Sequence, residues 1–122
     1  MSSFLAKRLL ENWFNHVWVQ TNVAHMDDYY ADDVQGEFNQ SPFTRVNLEE
    51  HCAWCKKNEK IREFTISDVI AEGNKIAFRV QYHFIDQHGK TEEAENMGIF
   101  HLNSQGKIAK IWVKSNGQFG KE

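Results

Sequence analysis

The sequence predicts an α+β domain in which helices come first and a curved, mostly antiparallel sheet wraps around them. Three observations predict it. Apolar residues recur at spacings of three and four along the first thirty positions. After Lys60 the period becomes two, over four runs separated by short turns. Helices followed by consecutive hairpins are the order of an α+β fold.

The elements follow in order. Leu5, Leu9, Leu10, Trp13, Phe14, Val17 and Trp18 form one wide apolar stripe, and Ser2 or Ser3 can cap its start. Thr21-Asn22 interrupts the stripe, and Asn22 can cap a second short helix over residues 23–30. Residues 34–39 read as a short strand, and residues 40–45, with the single proline Pro42, as a polar loop. Asn47 and Glu50 have capping-box spacing, Glu49 and Glu50 suit a first turn, and Lys56 and Lys57 suit a last one. A third helix is therefore expected over residues 48–58. Phe64, Ile66, Asp68 and Ile70 then alternate with Thr65, Ser67, Val69 and Ala71. Strands over residues 76–85, 91–103 and 107–114 complete a meander, and a loose tail is expected over 115–122.

Composition narrows the function. The chain has 122 residues, 41% hydrophobic, enough for one domain over 1–122 with its own core. A net charge of −3 lacks the basic face that nucleic acid demands, so no nucleic-acid partner is expected. No apolar run nears the ~20 residues of a membrane span, and no signal peptide is evident, so a cytoplasmic protein is expected. Cys52 and Cys55 lie three apart inside the third helix after Glu49-Glu50-His51, where carboxylates raise a thiol pKa. They read as small core residues, and no second Cys or His pair completes a zinc site. No metal and no cofactor are expected. Asp27-Asp28 and Asp32-Asp33 read as solvated turn and cap residues.

Three stretches carry a resemblance: Tyr30-Ala31-Asp32-Asp33-Val34, the run from Ile70 to Val80, and Gly98 to Leu102 with Gln105-Gly106-Lys107-Ile108 through Trp112. In order and spacing they resemble the SnoaL-like branch of the nuclear transport factor 2-like (NTF2-like) superfamily, over about residues 4–116. The resemblance implies a cone-shaped NTF2-like fold, with three helices packed in the concave face of the sheet, a deep small-molecule pocket and a homodimer. It does not imply one chemistry. The positions that match the ketosteroid isomerase donors and base are Phe14, Gly98 and Phe38, none of which moves a proton. The SnoaL cyclase pocket groups fall on Ile111 and Val113, and the limonene-epoxide hydrolase set on His83, Gln81 and Val113.

The strand from Ile76 to Ile85 sets two readings against each other. Alternation puts Phe78, Val80, Tyr82 and Phe84 in the core and Arg79, Gln81 and His83 in water. The resemblance implies the opposite, with Arg79, Gln81 and His83 in the pocket and the aromatic face against a second subunit. It implies a homodimer through Phe78, Val80, Tyr82, Phe84 and Trp112, since such a face is large for a monomer. His83 would be acid or base and Arg79 an electrostatic stabiliser. Phe14, Trp18, Tyr30, Phe38, His51, Gln81, Asn96, Gly98, Phe100, Ile111 and Val113 would line the pocket. The competing reading pairs Arg79 with a carboxylate such as Asp68 or Glu93. Two functions are then open: a cofactor-independent isomerase, lyase or hydrolase, and a non-catalytic ligand-binding or assembly domain.

Overall fold

A computed structural model describes residues 1–116; of the tail expected over 115–122, residues 117–122 lie outside the described residues. Three helices pack into a six-stranded sheet of order β2-β1-β6-β5-β4-β3. Helix α1 spans Ser3–Trp13, and the Ser2 hydroxyl caps it by accepting the Leu5 N–H at 3.1 Å. It continues as a π-helical segment, Phe14–Val19, in which the Gln20 N–H reaches the Asn15 carbonyl five residues back. The buried face is Ala6, Leu10, Trp13, Phe14, Val17 and Trp18, whereas Leu5, expected on the stripe, is exposed.

The second helix is shorter than expected. Asn22 caps a single 3₁₀ turn, Val23–His25, which runs into α2, Met26–Tyr29. Strand β1 starts at once, Tyr30–Phe38, because Tyr30 pairs with Ile108. The stretch expected as a polar loop contains β2, Ser41–Thr44. Asn39 and Gln40 both take positive φ, 50° and 73°, and close a two-residue hairpin. Pro42 is tolerated because β2 is an edge strand. Helix α3, Arg45–Asn58, begins earlier than expected because Thr44 is its cap, its N–H donating to Asn47 Oδ1 at 2.8 Å.

Strands β3 (Glu59–Glu72), β4 (Lys75–Asp86), β5 (Thr91–Leu102) and β6 (Ile108–Ser115) form the antiparallel meander, and β6 pairs in parallel with β1. Two register shifts bend β3; at the second, Asp68 has φ 54°. The bulge exchanges faces, so Val69 and Ala71 pack on the core and Ile70 points outward. Among the described residues no helix is long and apolar enough to cross a membrane.

The core lies between α1 and the concave face of the sheet, and it corrects the orientation expected for β4. Phe78, Val80, Tyr82 and Phe84 are buried in the core of a single chain, Val80 at 0% and Phe84 at 1% exposure. Arg79, Gln81 and His83 face outward. Plain alternation of apolar and polar residues gave the right face, and the expectation drawn from family pocket positions inverted it. The four core residues therefore cannot form a subunit interface; of the five expected there, only Trp112 lies on the outer face.

Candidate functional site

An interior cavity opens between the helices and the sheet. It offers about 50 Å³ to the centres of water molecules, within about 600 Å³ of unfilled space counting its mouth. The wide π turn of the first helix places Phe14 and Trp18 on one side beside Trp13. Strand β1 contributes Tyr30 and Phe38, and α3 contributes Leu48, His51 and Cys55. The sheet supplies Glu59 and Ile61 from β3, Phe78 and Tyr82 from β4, Asn96 and Phe100 from β5, and Ile111 and Val113 from β6.

Nine of the expected pocket residues are brought together there: Phe14, Trp18, Tyr30, Phe38, His51, Asn96, Phe100, Ile111 and Val113. Gly98 is not among them. The Phe78 ring lies over it, so that a Cβ at Gly98 would stand 2.8 Å from the ring edge. Gln81 is exposed on the outer face. Arg79 is also outside, donating to Asp68 Oδ2 at 2.8 Å and to Glu95 Oε2 at 2.7 Å. His83 stands between Glu63 at 3.4 Å and Glu93 at 3.9 Å, with its side chain 45% exposed. The geometry thus removes His83 and Arg79 from the interior cavity and ties Arg79 to carboxylates, one of them the Asp68 of the competing reading.

Aromatic rings build the walls. Trp13 meets Phe100 edge-on at 5.0 Å and Phe78 at 5.6 Å, and Phe78 meets Phe100 at 4.9 Å. Phe14 packs on Tyr82 at 5.4 Å. The His51 ring lies 5.1 Å from both Trp18 and Phe38. Desolvation in this setting lowers the His51 pKa to about 4, so the imidazole is neutral at pH 7. The Tyr30 hydroxyl accepts the Trp13 indole N–H at 2.8 Å. Burial pushes the phenols of Tyr30 and Tyr82 up, so both remain protonated.

Glu59 is the ionisable group that the sequence reading missed. Burial pushes its carboxyl up to about 7, and Cys55 Sγ lies 3.9 Å from its Oε1. No lysine or arginine lines the cavity among the described residues. The thiols of Cys52 and Cys55 are free and buried, and burial raises both pKa values. They are protonated and inert at neutral pH, as core residues should be. Glu59 follows Lys56-Lys57-Asn58 and so resembles a solvated helix end. One signal was present: Cys52, Cys55 and Glu59 recur at helical spacing, and Glu59 shares strand parity with Ile61. Among the described residues no group of histidine, cysteine or carboxylate side chains is arranged to hold a metal ion.

The fold and the interior cavity are those of a small α+β cone, and comparison with known proteins gives the family. A profile of the SnoaL-like domain matches residues 10–111, and the chain belongs to that family. No curated protein matches it. Among solved structures it is similar to TsrD from Streptomyces laurentii, at 15% identity and TM-score 0.73, over 95% of this chain and 91% of that one. It is similar to a candidate isomerase from Rhodopseudomonas palustris, at 9% identity and TM-score 0.76, over 95% and 90%. A candidate SnoaL-like polyketide cyclase from Mesorhizobium loti aligns at 17% identity and TM-score 0.63, over 96% and 100%. At these identities the likeness is one of fold.

Proposed function

We propose that the protein binds a small, largely apolar molecule in the interior cavity and moves a proton on it without a cofactor, with Glu59 as the acid/base group. The reaction class is isomerisation or cyclisation by proton transfer at a carbon beside a carbonyl. One observation carries the reading: Glu59 is a carboxyl on the cavity wall with its pKa raised to about 7 by burial. A general base works best when its pKa lies near the working pH, and a carboxylate in water is far too weak. The neutral His51 and the protonated Tyr30 and Tyr82 are hydrogen-bonding groups, able to steady a developing oxyanion but poorly placed in pKa to exchange protons at pH 7. The role expected of His83 passes to Glu59. The isomerase and cyclase descriptions of similar folds agree with this class but do not fix a substrate.

The test is turnover of enolisable ketones by the purified protein and by Glu59→Gln. The proposal expects Glu59→Gln to lose roughly 10²–10⁴-fold in rate while retaining ligand binding. The wild-type rate should rise with pH through about 7. Full activity in Glu59→Gln contradicts the proposal. Binding without turnover in either protein supports the non-catalytic alternative.

We further propose that a second copy of the chain covers the outer sheet face. Ile70, Met97, Ile99 and Trp112 are between 38% and 66% exposed there. Glu37 and Asp68 share the same groove with Arg79 and Lys114. Both signs of charge around one apolar patch suit a two-fold, self-complementary contact.

A further inference from the structure

One residue of the cavity wall, Asn96, carries a buried polar atom without a partner among the described residues. Asn96 lies opposite Val80 in the β4–β5 ladder, and Val80 is wholly buried, so the two side chains share the inner face. Asn96 lines the cavity, and its Oδ1 is buried with no hydrogen-bond partner among the described residues. An unsatisfied buried acceptor is costly, and native proteins retain few of them. The same lining holds the Glu59 carboxyl and the neutral side chains of Tyr30, His51 and Tyr82, and no lysine or arginine among the described residues. Most of the remaining wall is aromatic.

We propose that the ligand is a neutral, flat molecule whose hydroxyl group donates a hydrogen bond to Asn96 Oδ1. The chemistry follows from what the wall offers. A hydroxyl satisfies the orphaned acceptor and brings no charge into an apolar site. A carboxylate or phosphate would find only neutral donors and no cation among the described residues, and would lose more hydration than those donors return. A ligand with no donor would leave Oδ1 unpaired and buried more deeply. A site of this kind discriminates by the penalty on the wrong ligand rather than by added attraction to the right one.

The inference rests on the interior cavity being the ligand site, and the experiment separates the two. Phenol and toluene have nearly the same shape, and transfer from water favours toluene by roughly tenfold. A purely apolar cavity therefore binds toluene more tightly. Both are titrated into the full chain and followed by two-dimensional amide NMR, with Asn96→Leu as the comparison. The inference expects phenol to bind at least about threefold more tightly than toluene in the wild type, and the order to reverse in Asn96→Leu. Toluene binding as tightly as phenol or more tightly in the wild type overturns it, and needs no variant. An unchanged preference for phenol in Asn96→Leu also overturns it, because the donor then finds another acceptor. If neither probe shifts cavity resonances, the cavity reading fails and this inference falls with it. If toluene wins, only the hydroxyl inference falls.

Discussion

The Trp13 indole N–H donates to the Tyr30 hydroxyl at 2.8 Å, joining the end of α1 to the first residue of β1 across the cavity wall. Both side chains are buried, so the bond is made away from water. Tyr30→Phe leaves a buried indole donor unpaired and should cost about 1–3 kcal/mol in urea unfolding. An unchanged midpoint and slope would mean that water replaces the phenol there.

Gly36 pairs with Phe43 on one side and Ile111 on the other. A Cβ at Gly36 would overlap the Ile111 carbonyl, which is backbone in the middle of the sheet and cannot swing away. Gly36→Ala should destabilise by more than about 2 kcal/mol, or prevent accumulation of folded protein. Gly73→Ala is the control: nothing crowds its Cβ, but φ is 59°, so a smaller loss of about 1 kcal/mol is expected from backbone strain alone.

Glu59 and His51 tilt stability with pH in opposite directions. The folded pKa of Glu59 is raised from 4.5 to about 7, so the native state holds more protons between these values. Its contribution is complete below pH 4.5 and is lost as pH rises through about 7. Glu59→Gln should therefore match the wild type near pH 4 and exceed it by about 1–2 kcal/mol at pH 8, after discounting for partial solvent access. The folded pKa of His51 is lowered from 6.5 to about 4, so its contribution is present above pH 6.5 and lost as pH falls toward 4. His51→Phe should flatten that acid limb in thermal melts across the same window. Curves for both variants that stay parallel to the wild type would show that neither group is desolvated.

The outer face predicts an assembly defect without a folding defect. Met97→Glu with Ile99→Glu places charge on the exposed patch while leaving the inner residues Asn96, Gly98 and Phe100 in place. Sedimentation should show a dimer for the wild type and a monomer for the variant, with the same circular dichroism. A wild-type monomer at micromolar concentration would leave the patch without the proposed occupant.

Much of the fold was legible because its signals are local. The change from helical to alternating periodicity marked the start of the meander, and turn residues marked its hairpins. The π turn, the register shift at Asp68 and the edge strand with Pro42 were not legible, since each depends on a neighbour that the local pattern does not name. Most of the cavity wall was read from family position. The same source misled at β4, where Phe78, Tyr82 and Phe84 had already declared the buried face by their own alternation. Glu59 was missed because a carboxylate after two lysines looks solvated, and only the fold places it on a wall shared with aromatic residues.

The central claim is that the cavity holds one carboxyl poised to exchange protons near neutral pH. Its most direct test is a carbon-13 NMR titration of the glutamate side-chain carboxyls, with Glu59 assigned by its loss in Glu59→Gln. A Glu59 midpoint near 7, well above those of the exposed glutamates, is the result the account predicts. A midpoint near 4.5 would mean that water reaches the carboxyl freely, and the proposed acid/base role would fall.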